Sequence, residues 1–123
     1  MTLPILLAGA SGYSFKEWKG VFYPDSIRSE DMLKFYADRL PTVEINSSYY
    51  QMPKPAGLQK WVAATPDRFI FSIKVPQQIT HRARLDADLA AAPLRQLYET
   101  LETLGAQRGP VLFQLPPYLK KDL

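Results

Sequence analysis

An α/β fold of parallel (βα) units, amounting to about half of a TIM-type (βα)8 barrel, is what this sequence predicts. Two observations carry the expectation. Four short strand-like runs, near 5–10, 42–47, 68–75 and 110–115, alternate with three stretches of helical periodicity, and repeated βα units of roughly 30 residues imply a parallel sheet with right-handed crossovers. The second, third and fourth runs also place apolar residues on one side and at least one polar residue on the other. An open doubly wound sheet is covered by helices on both sides and is apolar on each, whereas a barrel wall carries polar groups on its inner side. Both architectures accommodate the order of elements; the polar faces favour the barrel. A complete barrel needs about 250 residues and eight strands, and this chain has 123 residues. After Pro116 and Pro117 the sequence YLKKDL reads as the start of another loop and helix. The expectation is a single domain, 1–123, cut off after its fourth strand.

Ile5 to Ala10 is a continuous apolar run, the form of a parallel strand covered on both faces. The loop SGYSFKEWKGVFYPDSI follows, dense in aromatics and punctuated by Gly12, Gly20 and Pro24. Loops of that length in compact domains tend to be functional; these rings either seal one end of the core or touch a ligand. Ser29 opens a helix with Met32, Leu33, Phe35, Tyr36 and Leu40 inward, Glu30 and Asp31 at its positive end, and Pro41 as its stop. In the strand Thr42 to Ser47, Val43 and Ile45 alternate with Glu44 and Asn46. Pro53 and Pro55 forbid regular structure in the loop Ser48 to Pro55, and Ala56 to Ala64 reads as a helix that turns Trp61 inward. Along Arg68 to Val75 the apolar face is Phe69, Phe71, Ile73 and Val75, with Ile70, Ser72 and Lys74 opposite. QQITHRARLD is a loop, and Asp86 to Leu104 a helix with leucines at helical spacing, interrupted near Ala92 by Pro93. In the last strand Val111, Phe113 and Leu115 share a face, with Leu112 and Gln114 opposite.

Composition narrows the chemistry. With 46% hydrophobic and 22% charged residues the chain is that of a soluble globular domain. It has no cysteine, which removes disulfides, thiolate nucleophiles and cysteine-held metals, and His81 is its only histidine. No metal site and no cofactor are expected: ligand spacing is absent, and no glycine pattern matches a dinucleotide or phosphate loop. The opening run lacks the basic segment of a signal peptide, and no stretch is long enough to span a bilayer, so no membrane partner is expected and the cytoplasm is the default compartment. The net charge of +3 is scattered, the pattern of a solvated surface.

Active sites of (βα) barrels lie at the C-terminal ends of the strands. The residues at that end are Glu44, Asn46, Ser47 and Tyr50 from the second unit, Lys74 and His81 from the third, Gln114 from the fourth, and Tyr13 and Trp18 from the first loop. Glu44 and Lys74 fall on adjacent strands at similar depth, and facing inward they would relieve each other's desolvation. Three readings stay open: a structural ion pair; a catalytic set in which Glu44 is a general acid or base and Asn46 and Gln114 orient a polar substrate; and an anion site at Lys74 with Glu44 positioning it. His81 is either a loop hydrogen-bonder or a third catalytic group, and Arg82 beside it suits an anion.

Four blocks in order, GASGYSFKEWKGVFYP (Gly9 to Pro24), TVEINSSYYQMP (Thr42 to Pro53), FIFSIKVPQQITH (Phe69 to His81) and GPVLFQLPP (Gly109 to Pro117), resemble the YecE-like family, domain of unknown function 72. The resemblance implies a (βα) barrel about twice this length, with no established activity. The leading functional expectation is binding or processing of a polar anionic small molecule, by hydrolysis or proton transfer if the protein is an enzyme. Nucleic-acid binding, through aromatics interleaved with Lys16, Lys19 and Arg82, is the alternative partner class. An inactive remnant that self-associates through its exposed strand edges is the third.

Overall fold

The computed structural model describes residues 3–121. Four strands, β1 (Gly9–Ser11), β2 (Thr42–Ile45), β3 (Ile70–Lys74) and β4 (Arg108–Leu112), form one sheet in the order 1-2-3-4. All three pairings are parallel. Between them come α1 (Met32–Arg39), the short α2 (Ser47–Tyr50), α3 (Pro55–Ala64) and α4 (Ala87–Leu101).

Alternation along the strands decides which side carries the helices. Val43, Ile45, Phe71 and Ile73 are buried in one core cluster with Met32, Leu33 and Tyr36 of α1, Leu58 of α3, and Leu97 and Leu101 of α4. Their neighbours Thr42, Glu44, Ile70, Ser72 and Lys74 are only half-buried and belong to no part of that cluster. Helices on one side and strands in sequence order are the features of a barrel wall, and a doubly wound sheet, which reverses its strand order, has neither.

The strands are shorter than the sequence predicts. The run 5–10 is not a buried strand: Leu3, Ile5 and Leu6 are 84%, 86% and 90% exposed, and pairing starts at Gly9. β2 itself begins at Thr42, opposite Gly9, so earlier residues have no ladder to join, and Pro4 lacks a donor. The strand predicted over 42–47 ends at Ile45, because Asn46 turns helical and Ser48 donates to the Ile45 and Lys74 carbonyls, at 3.0 and 2.6 Å. The third strand, predicted over 68–75, contracts to Ile70–Lys74, as Phe69 N–H closes a turn on Pro66. The fourth, predicted over 110–115, spans Arg108–Leu112, because β3 ends at Lys74 and the last cross-strand bond runs from Val75 N–H to the Leu112 carbonyl. α4 runs through Pro93 without a break. Pro93 sits in its second turn, its ring is buried, and the carbonyl it leaves unpaired belongs to Leu89, a residue 66% exposed to water. The loop after β3 winds into a single π turn, Gln78–Arg82, and leaves through Arg84 and Leu85 at φ 50° and 61°.

Glycine is required at both outer seams. A Cβ on Gly9 would lie 2.0 Å from the Thr42 carbonyl oxygen, and one on Gly109 would lie 2.8 Å from that of Phe71.

The aromatic loop after β1 seals the core. Phe22 packs edge-on against Phe35 and Tyr36, at 5.6 and 6.1 Å, and Tyr23 is 2% exposed with its hydroxyl donating to the Tyr13 carbonyl. Burial, reinforced by the neighbouring Tyr36 and Tyr13 phenols, pushes the Tyr23 hydroxyl up to about 12. Because the folded value lies above the unfolded one of 10.0, this stabilisation is complete below pH 10 and disappears as pH rises through about 12. Thermal melts followed by circular dichroism are expected to show Tm falling steeply over that window, with a shallower fall in Tyr23→Phe.

Candidate functional site

The bare side of the sheet concentrates its polar groups toward the C-terminal strand ends. The parallel register sets Ser11, Glu44 and Ser72 side by side on β1, β2 and β3, with Lys74 two residues further along. Lys74 Nζ lies 3.5 Å from Glu44 Oε1, the side chains being 16% and 29% exposed. The two charges therefore share one side of the sheet, partly shielded from water.

A directional chain feeds the same carboxylate. Asn46 Nδ2 donates to Ser11 Oγ at 2.6 Å, and Ser11 Oγ donates to Glu44 Oε1 at 3.1 Å. A hydroxyl has one proton; since Ser11 gives its own to the carboxylate, it must accept from Asn46, which fixes the amide orientation. The Asn46 carbonyl oxygen is consequently buried with no hydrogen-bond partner among the described residues. An orphaned acceptor of this kind costs about 1–3 kcal/mol.

Two clefts meet at Asn46. One, of about 360 Å³, is lined by Asn46, Tyr49, Tyr50, Lys74 and Gln114. The other, of about 320 Å³, lies between the first loop and α3, with Tyr13, Phe15, Asn46 and Trp61 in its walls. Burial raises the Tyr13 hydroxyl above its ordinary value, an effect tempered by the Trp61 indole. Its phenol stays neutral and able to donate at physiological pH.

Of the residues singled out in the sequence, Glu44, Asn46, Tyr50, Lys74 and Gln114 gather at or beside the first cleft, and Tyr13 borders the second. His81 stands one ring further out. Its imidazole meets Tyr49 edge-on at 5.2 Å, and its Nδ1 lies 2.8 Å from Thr80 Oγ1. Arg82 is exposed at the end of the π turn. Trp18 lies in the aromatic cluster with Phe15, Phe22 and Tyr23, where it backs Phe15 and lines neither cleft.

Sequence reasoning passed over Ser11 and Tyr49. Ser11 follows an apolar run and carries no motif; only its register opposite Glu44 marks it. Tyr49 joins the cleft to His81 and was hidden by the reading of its segment as irregular. Among the described residues, no three His, Cys, Asp or Glu side chains gather to hold a metal, and no helix is long and apolar enough to cross a membrane.

Residues 7–123 match the family model described as protein of unknown function DUF72. The chain belongs to the DUF72 family. Among the curated members it is similar to the UPF0759 protein YunF of Bacillus subtilis (strain 168), 29% identical over 105 residues, covering 78% of this chain and 36% of that one. It is also similar to the UPF0759 protein YecE of Escherichia coli (strain K12), 40% identical over 53 residues, which are 43% of this chain and 20% of that protein. The crystal structure of a DUF72 family protein from Thermotoga maritima MSB8 superposes with a TM-score of 0.73 at 29% identity, covering 94% of this chain and 46% of that chain. One from Enterococcus faecalis V583 superposes at 0.63 and 24% identity, a likeness of fold alone, over 73% of this chain and 38% of that one. The DUF72 neighbours form TIM-like barrels, and this chain, spanning less than half the length of each of them, is a partial one.

Proposed function

We propose that the cleft at the C-terminal ends of β2 and β3 binds a polar, anionic small molecule, with Lys74 meeting the anionic group. The observation that supports this is the state of the Lys74 ammonium. It is largely enclosed, its one ion pair among the described residues is a loose 3.5 Å contact, and it lines a cleft with the amides of Asn46 and Gln114. An ammonium has three donors, and an anionic oxygen would complete the set. In this reading Tyr50 borders the ligand and Tyr13 stands across Asn46 in the adjoining cleft. Glu44, supplied with a proton donor in Ser11 and a cation in Lys74, is the group suited to acid or base work, and His81 reaches the cleft through Tyr49. Proton transfer and hydrolysis without a cofactor are the reactions such a set serves.

Binding of inorganic phosphate and of a panel of small carboxylates, followed by calorimetry on the 123-residue chain, tests the reading. Lys74→Met is expected to weaken binding ~10-fold or more, the effect of losing one charge-assisted contact. Glu44→Gln should leave anion affinity unchanged or raise it, because Glu44 competes for the same ammonium. If both variants lose only stability while binding is unaltered, Glu44 and Lys74 are a structural pair and the reading fails.

A further inference from the structure

We infer that the ligand of the polar cleft carries a planar, uncharged ring besides its anionic group, and that the ring sits in the adjoining cleft between the first loop and α3. The inference rests on the reading of Lys74 as the anion's partner and names the rest of the molecule. Asn46 belongs to the walls of both clefts, so the two are neighbours across one side chain. Their chemistries differ. One presents the Lys74 ammonium with the amides of Asn46 and Gln114; the other presents the rings of Tyr13, Phe15 and Trp61 beside Ile45, with no charged side chain among its described walls. An ammonium and amides suit a charged head, and flat rings suit a flat apolar body.

Each ring of the aromatic cleft is held from behind. Phe15 packs on Trp18 with ring centroids 4.8 Å apart, and Trp61 stacks on the fully buried Phe71 at 5.8 Å and 23°. The Tyr13 carbonyl accepts from the buried Tyr23 hydroxyl, and the Gly12 N–H donates to the Glu44 carbonyl at 2.9 Å. Gly12 has φ 95°, and a Cβ there would lie 2.9 Å from the Phe15 ring, so glycine is what lets that ring fold back against the loop. Rings fixed in this way lose little freedom when a ligand arrives.

The walls of the aromatic cleft come from the loop after β1, the end of β2, the start of α2, and α3, so its shape is set inside the first two βα units. At about 320 Å³ it is large enough for a small ring, near the lower end of the roughly 300–1,000 Å³ of small-molecule pockets. A ring with no charged head would leave the Lys74 donors unfilled, and a head with no ring would leave the apolar walls to water. A molecule with both satisfies both clefts. The class is therefore a small aromatic carboxylate or phosphate ester, its ring and its anion joined by a short spacer that passes Asn46.

Calorimetry on the 123-residue chain with phenylalkyl carboxylates of increasing spacer length, each against the alkyl acid of the same chain length, provides the test. The ring is expected to raise affinity ~10-fold or more, the effect of burying part of a phenyl group, with an optimum at one spacer length. Phe15→Ala changes a residue already 37% exposed; it should remove that gain and leave affinity for inorganic phosphate unchanged, with circular dichroism as the check on folding. The chain has two tryptophans, so in Trp18→Phe the emission comes from Trp61, and it should respond to the phenyl acids but not to phosphate or the alkyl acids. Phenyl acids that bind no tighter than the alkyl ones, a gain that survives Phe15→Ala, Trp61 emission that stays constant at saturation, or phenyl acids that bind equally well to Lys74→Met would each overturn the inference. Failure of phosphate, alkyl acids and phenyl acids alike to bind is instead the failure of the anion reading, and this inference falls with it.

Discussion

Gln107→Leu is expected to destabilise the protein by about 2–4 kcal/mol, a large share of the total for a domain of this size. Gln107 is 5% exposed, and its side-chain nitrogen reaches three acceptors: Thr65 Oγ1 at 2.9 Å, the Pro66 carbonyl at 3.2 Å and the Phe69 carbonyl at 3.0 Å. These groups form the turn between α3 and β3, so one amide fastens the exit of the α4 region to the entry of the neighbouring strand. Leucine fills the volume but donates nothing, leaving carbonyls in an apolar interior without that partner. Urea titration should show a lower midpoint with an unchanged slope. Gln107→Glu, which when ionised brings only acceptors to a ring of acceptors, should cost more than leucine at neutral pH.

Tyr36→Phe is the second large effect, about 2–3 kcal/mol, concentrated at one edge of the sheet. The Tyr36 ring is fully buried, and its hydroxyl accepts from the Ala10 N–H at 2.7 Å while donating to the Thr42 carbonyl at 2.8 Å. One oxygen thus stands between the backbones of β1 and β2, and burial raises its pKa above the usual tyrosine value. The Gly9 backbone lies close enough that a Cβ there would come within 3.0 Å of this oxygen. Phenylalanine preserves the packing and strands both backbone groups. Hydrogen exchange should accelerate at Ala10 and Gly12, the latter bonded to the Glu44 carbonyl, while amides of β3 keep their protection.

These two residues mark what the sequence conceals. The apolar side of β3 was legible because Phe69, Phe71, Ile73 and Val75 alternate without exception, and all four are fully buried. Glu44 and Lys74 were legible for the same reason: period two places them opposite that face. Gln107 carries no such signal, since it follows the helical leucines in a non-periodic turn and its partners are 38 to 42 residues away in sequence. Tyr36 was readable as an inward ring, but the task of its hydroxyl depends on two strands converging there. The opening apolar run misleads in the opposite sense. Hydrophobicity signals a need for cover, and nothing among the described residues provides it for Leu3, Ile5 and Leu6.

Cohesion and chemistry in this wall are separated by parity. Within β2 and β3 the odd positions 43, 45, 71 and 73 hold the helices, and the even positions 42, 44, 70, 72 and 74 lie on the bare side, where 74 lines the cleft and 44 stands beside it. Variation at an even site leaves the helix contacts intact, so new specificities are open to this scaffold at little cost to folding. A frame shift of a single residue within either strand exchanges the two sets, burying charge and exposing the core in one event.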